Sequence, residues 1–128
     1  MGPAPPAALG AGAAVIRRLF AAVAAVMVIS AGARADAFKT GNVLYQECAA
    51  PIGTREYANC QHYVMGVADV MAGNNTINGY AACFPRDVTV GQIREVVTRY
   101  LANLPQSRNK GAAGLAADAL AQAFPCRR

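Results

Sequence analysis

Cys48, Cys60, Cys83 and Cys126 all lie downstream of an apolar leader that ends in small residues. An even cysteine count behind a secretory leader predicts a disulfide framework, because the compartment across the membrane is oxidising. Each cross-link typically adds about 2–4 kcal/mol, which suits a domain too small to be secure on core burial alone. Paired cysteines are also lost as nucleophiles and as metal ligands. That leaves His62, the single histidine of the chain, as the ordinary candidate for acid–base work. The expectation is a small stapled domain outside the cytoplasm that is not an enzyme.

Residues 1–37 read as a signal peptide and residues 38–128 as one folded domain. Arg17 and Arg18 supply the positive start, and Leu19–Ile29 is the apolar run. That run is too short to cross a bilayer, which needs a helix of about 20 residues. Cleavage fits Ala33-Arg34-Ala35 or Ala35-Asp36-Ala37, and the second frees Phe38 as the mature start. An uncleaved anchor is the competing reading. Of the net charge of +5, the leader holds +2 through Arg17, Arg18 and Arg34 against Asp36, so the exported piece carries +3. Its cations form no dense run interleaved with aromatics, which disfavours nucleic acid. No membrane contact is expected after cleavage.

Four helical segments are predicted, and the fold class is all-α. The first covers Gly41–Ala49 with Thr40 as its cap, and Pro51-Ile52-Gly53 stops it. Thr54 caps a second running to about Met71, where Tyr57, Cys60, Val64, Val67 and Met71 make one apolar stripe. Gly73–Gly79 is a breaker cluster. Thr89 and Gln92 form a capping box for the third helix. Its apolar face is Ile93, Val96, Val97, Tyr100, Leu101 and Leu104, and Pro105 closes it. The fourth runs from Gly111 to Phe124 with Leu115, Ala119 and Ala123 on one side. Beside them Gly114, Ala117 and Ala121 form a smooth strip that would admit another helix, either of the same protomer or of a second copy. Short connections favour antiparallel neighbours. This brings Cys48 toward Cys60 and Cys83 toward Cys126, although four cysteines allow three connectivities and sequence alone leaves them open.

Candidate sites are sparse. His62 and Asp69 share the outer side of the second helix, but two turns separate them, about 10 Å of rise, too far for a direct acid–base pair. A solvated polar face is the simpler reading. Gly66, on the same side, reads as a place where another backbone or a large side chain comes close. Metal and haem sites lack their usual C-x-x-C and C-x-x-C-H spacings, so no cofactor is expected.

The motifs do match a known pattern. Leu44-x-x-x-Cys48 and Cys60-x-x-Tyr63-x-x-Gly66-x-x-Asp69 come first. Cys83-Phe84-Pro85 and Val88-Thr89-x-x-Gln92 follow. Val96-Val97-x-x-Tyr100-Leu101-x-x-x-Pro105 and Ala119-Leu120-x-x-Ala123-Phe124-Pro125-Cys126 complete the set. Together they resemble the Rap/Tai family of type VI secretion amidase immunity proteins over essentially the whole mature domain. The resemblance implies a small helical periplasmic protein that dimerises and plugs the active site of a peptidoglycan amidase toxin. His62 departs from the pattern, standing where the family often has glycine. Two function classes remain, an amidase-blocking binding module and a structural or chaperone-type envelope protein. The second has little to switch with, since the mature acids are only Glu47, Glu56, Asp69, Asp87, Glu95 and Asp118. For the first, the loop Gly73–Ala82 is the expected partner surface. Asn74, Asn75 and Asn78 would supply its hydrogen bonds, with Ile77 and Tyr80 as apolar anchors.

Overall fold

Three threonines start three of the helices. The hydroxyl of Thr40 accepts from the amide of Val43 at 3.4 Å, that of Thr54 from Tyr57 at 3.2 Å, and that of Thr89 from Gln92 at 3.2 Å. Each threonine has extended backbone and satisfies an amide that the helix itself cannot. The computed structural model describes Gly2 and residues 37–127, so the rest of the predicted leader lies outside the described residues. The helices are α1 (Gly41–Cys48), α2 (Arg55–Ala72), α3 (Val90–Asn103) and α4 (Ala112–Ala123), with a 3-10 turn at Pro105–Ser107. The predicted capping box is present, with Gln92 Oε1 accepting from the Thr89 amide at 2.8 Å. Among the described residues there is no strand, only two isolated bridges, Thr40 with Gly111 and Ile77 with Tyr80. The fold is a small all-α bundle stapled by two disulfides.

All four helices touch one another. They close over Leu44, Val64, Met71, Val97, Leu101 and Leu120, which have no more than 1% of their surface exposed. Burying a side chain of this size stabilises by about 1.5–3 kcal/mol. The stripe expected on α2 is buried from Cys60 to Met71, with Tyr57 half-buried at its start. On α4 the orientation differs from expectation. Ala123 is exposed, and Ala112, Leu115, Ala116, Ala117, Ala119 and Leu120 face inward. Ala117 has no exposed surface and packs within the protomer, while Gly114 and Ala121 on either side of it are half-buried. An alanine-rich helix has a weak apolar direction, and the neighbouring helices decide which side is covered.

The disulfides are Cys48–Cys60, with Cα atoms 5.0 Å apart, and Cys83–Cys126, with Cα atoms 4.9 Å apart. The first ties α1 to α2 across the Pro51–Thr54 turn and lies in the core. Arg94 of α3 clasps it from outside, donating to the Cys48 carbonyl at 3.2 Å while its guanidinium lies 4.7 Å from the centre of the Tyr57 ring. The second joins the approach to α3 to the chain end and is exposed. Beside it the Cys83 amide donates to the Phe124 carbonyl at 2.8 Å, and the Phe84 and Phe124 rings meet at 5.2 Å.

The start of the domain is laced to the turn before α4. Gly41 and Asn42 donate their amides to the carbonyls of Lys110 and Arg108 at 2.9 and 2.7 Å, and Ala112 donates to Lys39 at 2.9 Å. A Cβ on Gly41 would stand 2.9 Å from the Arg108 carbonyl and overlap the Leu115 side chain. Only glycine permits this approach. Arg108 lies over the Tyr45 ring at 4.1 Å, and Lys39 pairs with Glu47 beside Tyr63. The Nε atoms of Arg94 and Arg108 are buried without hydrogen-bond partners. Both belong to guanidinium groups stacked on tyrosine rings, where the attraction of a cation for a ring face offsets part of the lost hydration.

Candidate functional site

The loop between α2 and α3 is ordered by its own polar residues. The Asn75 side-chain amide donates to the Val70 and Gly73 carbonyls at 3.1 and 3.3 Å, closing the end of α2. Ile77 and Tyr80 then exchange two backbone hydrogen bonds, at 3.1 and 3.0 Å, across Asn78 and Gly79. Those two central residues have φ of 52° and 82°. Positive φ at both positions is the signature of a two-residue type I′ hairpin, for which Asn-Gly is the favoured pair. The end of the breaker cluster therefore enters an ordered hairpin turn, Ile77–Tyr80.

The expected partner residues are not equivalent in this setting. Asn74, Asn75, Asn78 and Tyr80 are exposed, but Ile77 is half-buried and packs on the core. Ile77 is thus shared between the core and the surface, and Tyr80, 37% exposed, is the ring beside it at the surface. Asn74 and Asn75 sit at the α2 end. Asn78 and Tyr80 instead line a cleft of about 440 Å³ against α3, α4 and the turn between them.

Across that cleft Tyr100, expected on the apolar face of α3, donates its hydroxyl to Asp118 Oδ2 at 2.5 Å. Gln122 donates to the other carboxylate oxygen at 2.9 Å. Burial, and then the bond to Asp118 and its charge, push the Tyr100 phenol well above the ordinary tyrosine value. Ser107 and Lys110 complete the polar wall. Gly114 forms part of the floor, and a Cβ there would overlap the Asn78 amide. The Asn-Gly pair could have revealed the hairpin, but nothing local links Tyr100 to Asp118 on another helix.

The outer side of α2 carries His62, Gly66 and Asp69, all exposed. A Cβ on Gly66 would meet no atom within 4 Å, so the close approach expected there does not occur among the described residues. Met65 and Val70 flank it at 36% and 47% exposure. Among the described residues no helix is long and apolar enough to cross a membrane.

No curated protein matches the chain. The family model of the Rap1a immunity proteins matches residues 40–126, from the cap of α1 to the last cysteine. That span takes in all four helices, both disulfides and the hairpin, and on it the chain belongs to the Rap1a immunity protein family.

Proposed function

We propose that this protein is exported to the periplasm, with residues 1–37 removed, and that it protects its own cell by blocking a peptidoglycan amidase toxin of the type VI secretion system. The block is stoichiometric occlusion of the amidase active site rather than turnover. The observation that carries this reading is the rigid Ile77–Tyr80 hairpin, which holds Asn78 and Tyr80 at the surface of a disulfide-stapled scaffold. A pre-ordered hairpin loses little freedom on binding, so more of its contact energy survives as affinity. Asn74 and Asn75 extend the same exposed edge. Family membership supports a toxin partner, and the disulfides agree with an oxidising compartment.

The test titrates mature protein into the amidase encoded nearest to its gene while following peptidoglycan hydrolysis. Activity is expected to vanish at one protomer per amidase. Tyr80→Ala should weaken the block roughly 5- to 30-fold, the range of a buried aromatic anchor worth about 1–2 kcal/mol. Unchanged hydrolysis at large excess of wild-type protein refutes the reading. Self-association belongs to the same proposal, through the outer side of α2 around Met65, Gly66 and Val70, because these are exposed whereas Ala117 at the centre of the α4 strip is buried. Light scattering that finds only monomer at high concentration removes that part.

A further inference from the structure

The cleft beside the hairpin holds more free donors than its carboxylate uses. Its one carboxylate, Asp118, already accepts from Tyr100 on one oxygen and from Gln122 on the other. The groups left free on its walls can all donate: the Lys110 ammonium, the hydroxyls of Ser107 and Tyr80, and the side-chain amide of Asn78. Among the described residues no carboxylate pairs with Lys110, and none of the other three groups has a side-chain hydrogen bond within the protein. A volume of about 440 Å³ accommodates a side chain with its flanking backbone. The net charge of +3 on the exported piece adds long-range attraction for an acidic partner surface.

We propose that this cleft receives an acidic side chain of the protein partner, an inference that rests on the partner-binding reading above and names the chemistry of what is bound. The incoming carboxylate meets Lys110 as its counter-charge and takes hydrogen bonds from Ser107, Tyr80 or Asn78, which fix its direction. Tyr100 acts as a positioning residue. By donating to Asp118 Oδ2 it fixes the direction of that carboxylate, whose remaining charge the incoming acid meets with Lys110 between them as counter-charge. Hydrogen bonds to ionised groups are the stronger ones, and a partner lacking the acid would leave the cleft's donors without a match.

Two measurements test this on the mature, oxidised protein. In the first, backbone amide shifts are followed by NMR during titration with a blocked tripeptide, N-acetyl-Gly-Glu-Gly-amide, and with its glutamine counterpart. Saturable shifts centred on Tyr80, Ser107 and Lys110 are expected for the glutamate peptide, with the glutamine peptide about tenfold weaker or worse. Lys110→Glu should abolish the response and Lys110→Gln should weaken it. Both variants keep the backbone bond that the Lys110 carbonyl accepts from Gly41. Tyr100→Phe should weaken glutamate binding while leaving the glutamine peptide unchanged, an effect that simple loosening of the fold would not produce. Equal responses to the two peptides overturn the proposal, as do shifts equally large at the exposed cations Arg55, Arg86 and Arg127. In the second measurement the amidase titration is repeated with Lys110→Glu. Undiminished inhibition by a folded variant overturns the proposal and leaves the immunity reading standing. Selective glutamate binding without amidase inhibition supports the cleft and sinks the amidase reading.

Discussion

Removing each disulfide in turn sets chain entropy against core packing. The cross-links close loops of sequence separation 12 for Cys48–Cys60 and 43 for Cys83–Cys126. Constraint of the unfolded chain alone makes the first worth about 3 kcal/mol and the second about 4 kcal/mol. Burial works in the opposite direction. Cys48 and Cys60 are 1% and 0% exposed, whereas Cys83 and Cys126 are at the surface. Truncating the buried pair to alanine leaves a void on the order of 50 Å³, about 1 kcal/mol of cavity at ~24 cal/mol per Å³, with a comparable loss of transfer energy. The Cys48→Ala, Cys60→Ala protein should therefore lose about 5 kcal/mol and the Cys83→Ala, Cys126→Ala protein about 4 kcal/mol. Urea unfolding followed by far-ultraviolet circular dichroism measures both, compared as extrapolated free energies because the cross-links alter the unfolded state. If the surface pair proves more costly to remove by 1 kcal/mol or more, loop entropy governs and the packing argument fails.

Gly41→Ala should destabilise by about 1–3 kcal/mol, because the new methyl meets the Arg108 carbonyl, which is held by Asn42 and cannot retreat cheaply. Calorimetry should find a melting point lower by roughly 5–20 °C, and an unchanged one would contradict the close approach. Arg94→Ala should cost about 1.5–3 kcal/mol by removing a charged donor from the Cys48 carbonyl. Arg94→Lys should restore little, since an ammonium cannot both donate there and stack flat on Tyr57. Stability should also fall in alkali. The Tyr63 and Tyr100 phenols are raised in the folded state, chiefly by burial, with Glu47 and Asp118 adding to the effect. The folded protein therefore holds their protons more tightly than the unfolded chain does. Their contribution is complete below the ordinary tyrosine value of about 10 and is lost as pH rises beyond it. Urea midpoints measured upward from pH 8 should decline, less steeply for Tyr100→Phe. A flat profile would deny the shift.

What could be read from the sequence is what local chemistry decides. Thr40, Thr54 and Thr89 mark helix starts because a hydroxyl needs only the next turn to find its amide. The α2 and α3 core faces were legible because valine, isoleucine and leucine sit against polar residues one helical step away. The short Pro51–Thr54 link favoured Cys60 as the partner of Cys48 without excluding the other pairings. On α4 the same reasoning lost its signal, because alanine on every side gives no direction, and Ala123 came out exposed while Ala117 went inward.

The candidate site divides along the same line. Its hairpin is written in Asn78-Gly79, a pair whose positive φ angles are a local preference. Its opposite wall is not, because Tyr100, Lys110 and Asp118 meet only after α3 and α4 have packed. Ile77 illustrates how the two scales interact. The turn chemistry sets Ile77 and Tyr80 directly opposite each other, and packing on the core then covers Ile77 while Tyr80 stays 37% exposed. Gly66 remains the opposite case. A mid-helix glycine costs about 0.5–1 kcal/mol relative to alanine, and among the described residues no atom comes near enough to require it. Met65 and Val70 are also left uncovered on this face, and a glycine here suits the self-association proposed through the outer side of α2.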